Sequence, residues 1–250
     1  MKQDTRTIMQ FAKVITLMIL LVVTGCVSGH GDKKARKPVS PRHSGDWVKE
    51  FNVEKRPLAT VGENRYFVLK PGFQLVLEEE NEKVVVTVLD ETKQIGQITT
   101  RVVEEREEKN GKLVEISKNY FAICKDTADV FYFGEDVDIY KDGKIVGHSG
   151  AWRADEKSSK PGMMMPGVPS IGARYYQEIA PGKAMDRAEI VSISETLKTP
   201  AGTFTNCLKA EETSALNPNE KSYKTYAPGI GLIQDEGLLL THYGFLKLSR

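Results

Sequence analysis

The residues able to do chemistry are few and scattered along the chain. Of the four histidines, His30 and His43 lie in a polar N-terminal stretch, and His148 and His242 lie in or beside strand-like segments. No His-Glu-x-x-His and no histidine pair at ligand spacing occurs, so no metal is expected. The run Glu135-Asp136-Val137-Asp138 could supply paired carboxylates, and His148 would complete an acid–base set. Strand alternation would put Asp136 and Asp138 on one face and Glu135 on the other, which also describes a solvated strand edge. Glu211 and Glu212 read as exposed cross-strand partners. Met163-Met164-Met165 could ligate Cu(I), form a pliable apolar flap over a ligand, or pack on a sheet. Cys124 and Cys207 could join in an oxidising compartment or stay buried as free thiols, and no Cys-x-x-Cys marks redox chemistry. With no Gly-x-Ser-x-Gly or similar nucleophile setting, an enzyme is the less favoured reading, and no cofactor is implied.

The third cysteine stands apart. Lys2, Arg6 and Lys13 precede an uncharged run from Val14 to Val23, too short to cross a bilayer, as in a secretory leader. The run ends Val23-Thr24-Gly25-Cys26, which resembles the lipobox of bacterial lipoproteins. That resemblance implies a diacylglyceryl thioether on Cys26, cleavage between Gly25 and Cys26, and palmitate-type acylation of the new amino terminus. The partner would be a membrane and the location the cell envelope. Val27, not Asp, favours the outer membrane if the source is Gram-negative. Residues 26–60 then form a lipidated tether. Its Gly, Lys, Arg, Pro and Ser content cannot support a core, and Lys33-Lys34-Ala35-Arg36-Lys37 could rest on anionic headgroups.

The elements that must position any site begin near residue 61. Segments rich in Val, Ile, Tyr, Phe and Thr alternate with Pro71-Gly72, Asn110-Gly111, Asp142-Gly143, Pro181-Gly182, Pro228-Gly229 and Glu236-Gly237. Asn-Gly and Asp-Gly are hairpin signals, because both residues accept positive φ. No apolar stripe at helical spacing appears. Residues 61–250 are therefore expected to be one all-β domain, an antiparallel meander curling into a barrel, half-barrel or clam. Residues 155–172, with their prolines, glycines and methionines, read as a long connection or flap. The chain has 35 basic and 34 acidic residues, which excludes the basic footprint of a nucleic-acid binder.

Three stretches carry a further resemblance: Phe133–Gly150 with Trp152-Arg153, Thr199-Pro200-Ala201-Gly202-Thr203-Phe204, and Tyr226-Ala227-Pro228-Gly229-Ile230-Gly231-Leu232-Ile233. They resemble a group of bacterial envelope proteins with TPAGTF…C-x-K and YAPGIGLI hairpins, over roughly residues 62–246. The resemblance brings no catalytic residues with it. A looser likeness is to the curved half-barrels of lipoprotein-localisation proteins, which hold acyl chains on a concave face. The combined expectation is a non-catalytic envelope lipoprotein that binds an apolar ligand or an envelope partner. Trp152, Met163, Met164, Met165, Tyr175 and Tyr176 are its candidate contacts. The alternatives are a structural surface protein and, behind it, a hydrolase-type enzyme.

Overall fold

The computed structural model describes residues 46–246, so the leader, Cys26 and the basic cluster lie outside the described residues. In chain order the strands are β1 (Leu58–Ala59), β2 (Gly62–Asn64), β3 (Phe67–Leu69), β4 (Phe73–Glu79), β5 (Glu82–Ile95) and β6 (Ile98–Lys109). Next come β7 (Lys112–Cys124), β8 (Val130–Lys141), β9 (Lys144–Gly147), β10 (Trp152–Arg153), β11 (Lys160–Met165), β12 (Arg174–Tyr176) and β13 (Glu178–Ile179). The last five are β14 (Asp186–Thr199), β15 (Gly202–Ser214), β16 (Lys221–Ala227), β17 (Gly231–Asp235) and β18 (Leu238–Phe245). The hairpin signals sit where they are needed. Asn110 and Gly111 have φ of 52° and 69°, and Asp142 and Gly143 have 51° and 75°, the sense a two-residue turn needs to follow strand twist.

The strands form a large antiparallel sheet in the order β12-β14-β15-β16-β17-β18-β4-β5-β6-β7-β8-β11-β13. Only Gln177 separates β12 from β13, and its N–H donates to Asp186 O at 2.8 Å. One short run of chain thus touches both edges of the sheet and nearly closes it into a barrel. Closure removes most of the unpaired edge that a sheet of this width would otherwise present. The expected all-β antiparallel sheet is observed, and it is nearly closed into a barrel.

Pairing in register fills part of the interior with apolar side chains. Leu77 lies between Leu240 and Val84, and Leu75 opposite Val86. Leu69, Leu77, Ile190, Leu208, Ile233 and Leu240 are fully buried, each contributing roughly 1.5–3 kcal/mol relative to exposure. The outer wall is polar, with Lys83–Glu78 at 3.5 Å, Arg174–Glu189 at 3.1 Å and Lys221–Glu211 at 2.8 Å. A wall of charge pairs faces water, unlike the apolar band of a membrane-spanning barrel.

The two ends differ. One carries the turns after β4, β6, β8 and β17. The other carries the turns after β5, β7, β14 and β16, together with the link Pro166–Gly172. This second end is covered by the β2–β3 hairpin. Gly229 N–H donates to Arg65 O at 2.7 Å, and Asn64 Nδ2 donates to Ala128 O and Pro166 O at 2.8 and 3.0 Å.

Two expectations are corrected. Ordered chain begins ahead of residue 61: Val48 bridges in parallel to Tyr175, Trp47 lies between the guanidinium groups of Arg174 (4.3 Å) and Arg187 (4.5 Å), and Phe51 packs on Phe131. The stretch 155–172 is only partly a connection. Its Lys160–Met165 portion is wall, with Gly162 opposite Tyr132 and Met163 opposite Phe131. Glycine is required at 162, since a Cβ there would fall 2.1 Å from Gln177 O. The Pro-Gly-Met composition that reads as loop is therefore where β11 passes tightly against the Gln177 main chain at the closing seam.

Candidate functional site

The interior half nearest the β6–β7 turn is lined with carboxyl groups. On β6, Val103, Glu105 and Glu107 share the inward face. Register places Glu107 opposite Glu115, Glu105 opposite Ser117, and Asn119 opposite both Val103 and Glu135. From the other side, Ala210 pairs with Lys224, Glu212 with Ser222, Lys224 with Asp235, and Asp186 with Ser214. Glu178 joins them from the seam. Strands far apart in sequence thus bring eight carboxyl groups to one half of the interior, where Lys224 pairs with two of them. Lys224 Nζ lies 3.3 Å from Glu212 and 3.4 Å from Asp235, and Gln177 Nε2 donates to Glu212 Oε1 at 2.7 Å. The Lys224 and Asp235 side chains keep 26% and 29% of their surface accessible, so water reaches this end of the interior.

Burial first, and then repulsion among neighbouring carboxyls, raises the proton affinities of several of these groups. Burial, then Glu105, Glu115 and Asp235, push Glu107 up to about 8 against the opposing charge of Lys224. Burial and Glu105 raise Glu115 to about 7. Glu135 rises to about 8 through burial, although the neighbouring Tyr132 hydroxyl opposes it and Glu115, Glu105 and Asp186 add to it. Glu178 stands well above the carboxylate range, first by burial, then by the charges of Glu135 and Asp186, with which it shares a hydrogen bond. Burial disfavours the charge on Lys224, but Asp235 and Glu212 more than offset that. Tyr132 donates to Asn119 Oδ1 at 2.6 Å, extending the polar network up the wall. Trp152 Nε1 is buried without a well-formed hydrogen bond, yet lies close enough to Glu178 to favour its charged form. Chemically this interior can hold protons near neutral pH, and it attracts positive charge more strongly as these carboxyls ionise with rising pH. Among the described residues no three His, Cys, Asp or Glu side chains converge to hold a metal ion.

The contacts expected from sequence are divided between the faces of the wall. Trp152 is fully buried, edge-on to Tyr132 with centroids 5.3 Å apart. Tyr175 is buried opposite Ala188, whereas Tyr176 lies outside beneath Trp47. Met165 is buried, Met163 and Met164 are half-buried, and Met164 Sδ is 3.9 Å from Gln177 Nε2. Asp136 and Asp138 share the outer face, as alternation requires. Tyr120 donates to Asp136 at 2.6 Å, and His148 Nδ1 lies 2.9 Å from Asp138 with the imidazole 66% exposed. That pair is open to water. Cys124 and Cys207 are separate buried thiols on β7 and β15. Glu212 does not make the exposed cross-strand pair expected of it. Adjacent strand residues point to opposite faces, so Glu211 meets Lys221 and Tyr223 outside while Glu212 turns inward.

No protein-family model matches the chain, and no curated protein matches it. A solved structure described as a "putative lipoprotein" from Parabacteroides distasonis is similar at 13% identity and a TM-score of 0.37, covering 73% of this chain and 100% of that one. A likeness of that size defines neither fold nor function.

Proposed function

We propose that the chain is an envelope lipoprotein, cleaved between Gly25 and Cys26 and held at a membrane by acyl chains on Cys26. Its barrel is a non-catalytic binding module for a small organic cation. The observation that supports the reading is an interior half lined by Glu105, Glu107, Glu115, Glu135, Glu178, Asp186, Glu212 and Asp235, in which, among the described residues, Lys224 pairs directly with Glu212 and Asp235 alone. A cationic guest relieves repulsion that the fold otherwise bears. An apolar guest would meet a charged wall there and desolvate it at a cost.

The test is a thermal melt of the lipidated chain in detergent near pH 8, with spermidine as the probe. Binding at ~100 times Kd adds about 2.7 kcal/mol, so the melting temperature should rise, and Glu107→Gln with Glu212→Gln should abolish the rise. No rise, or an equal rise in the variant, overturns the cation reading. A lipid that co-purifies in the barrel would restore the apolar-ligand alternative. For the anchor, Cys26→Ser should move the chain from the membrane fraction to the soluble fraction.

A further inference from the structure

The covered end of the barrel carries a ring of exposed apolar side chains. Val168 is 89% exposed, Phe245 58% and Ile171 53%, and Val61, Tyr243 and Leu246 are exposed as well. The topology brings these distant residues to one end. Phe245 pairs with Phe73 at the start of β4, and Leu246 N–H donates to Gly72 O. Gly167 N–H donates to Asp129 Oδ1 and so fixes the Val168 link beside the β7–β8 turn. Leu58 pairs with Cys124 and leads to Val61 at the same end. Phe245 and Val168 stand on opposite sides of the rim, so the apolar groups encircle the end and do not form one groove.

Two facts name what this rim meets. The chain enters the described structure here: Val48 runs parallel to β12 with its N–H on Arg174 O, which puts Asp46 on the Ala173 side, next to the Pro166–Gly172 link. Upstream, the sequence holds Lys33, Lys34, Arg36 and Lys37 and then Cys26. Among the described residues, the opposite end has three exposed apolar residues, Ile145, Val146 and Leu216, against six at the covered end.

We infer that the rim formed by Val168, Ile171, Val61, Tyr243, Phe245 and Leu246 is a lipid-facing surface on which the barrel stands, its acidic mouth directed away from the membrane. The inference rests on the Cys26 anchor proposed above. Apolar side chains of this kind enter the headgroup boundary, and the basic tether adds attraction to anionic lipid. The charged outer wall stays in water, so the barrel stands on the bilayer and does not cross it.

The test uses the full lipidated chain in vesicles of phosphatidylethanolamine with a minority of phosphatidylglycerol. Val168→Cys, Phe245→Cys and Ile145→Cys are each labelled with an environment-sensitive maleimide, and Cys124 and Cys207, at 2% and 0% exposure, stay unlabelled in the folded chain. With brominated lipid, the labels at 168 and 245 should lose most of their fluorescence and the label at 145 should keep it. Quenching at 145 alone, or at none of the three while the chain floats with vesicles, overturns the surface and leaves the anchor standing. A chain that does not float at all overturns the anchor, and the surface with it.

Discussion

A carboxyl group whose proton affinity is higher folded than unfolded makes folding dependent on pH. Below about 4.5 Glu107 is protonated in both states and contributes nothing to the dependence. As pH rises toward about 8, the unfolded chain releases this proton while the folded chain retains it, so the folded state loses ground. Glu135 behaves alike over the same window. We expect Glu107→Gln to stabilise the protein by about 1–3 kcal/mol near pH 9, allowing for water in the mouth, and to change little near pH 5. Urea melts at the two pH values measure this, and equal effects at both would count against burial as the cause. His148 and Asp138, which sequence singles out as an acid–base pair, should behave differently. Their pair is exposed, so His148→Ala is expected to shift stability by no more than about 0.5 kcal/mol.

Strands and turns set the cost of closing the barrel. At the β6–β7 turn, nothing lies within 4 Å of a Cβ built on Gly111, so Gly111→Ala carries only the backbone cost of positive φ, about 1 kcal/mol. At the seam, Gly162→Ala would meet the Gln177 carbonyl in space that main chain already fills. We expect a loss of about 3 kcal/mol and separation of β11 from β13, checked by urea denaturation and by faster amide exchange within β11 and β13. The same two glycines show how far the elements were legible. Asn110-Gly111 announces its role locally, because turn geometry is decided by adjacent residues. Pro161-Gly162 does not, because the need for glycine comes from a strand some fifteen residues further along the chain.

Across the whole molecule, the acidic interior sets a balance among charges that no single strand reveals. Repulsion among carboxylates grows with pH and is weakened by salt where water reaches them. Raising sodium chloride should therefore lift the melting temperature near pH 8.5 more than near pH 5, and the reverse order would mean that the interior charges are already compensated. Among the described residues, the apolar rim and the acidic interior lie toward opposite ends of the barrel.

What the sequence determined by itself was local. The expectation of a leader and a lipidated Cys26 rests on composition over a couple of dozen residues, and the meander follows from period-two patterning punctuated by turn formers. The faces of Asp136, Asp138 and Glu135 follow from alternation alone. The tertiary structure decided which charges face inward. Residues 104–109 are charged at every position, Glu-Glu-Arg-Glu-Glu-Lys, so alternation there assigns no face. Only the pairing of Val103 with Val88 and of Glu107 with Val84 turns Glu105 and Glu107 into the barrel. Glu178, Asp186, Glu212 and Lys224 lie on strands that closure alone brings across from them. Interactions between groups far apart along the chain depend on distances that the fold creates, which is why the acidic mouth and the apolar rim were absent from the linear text.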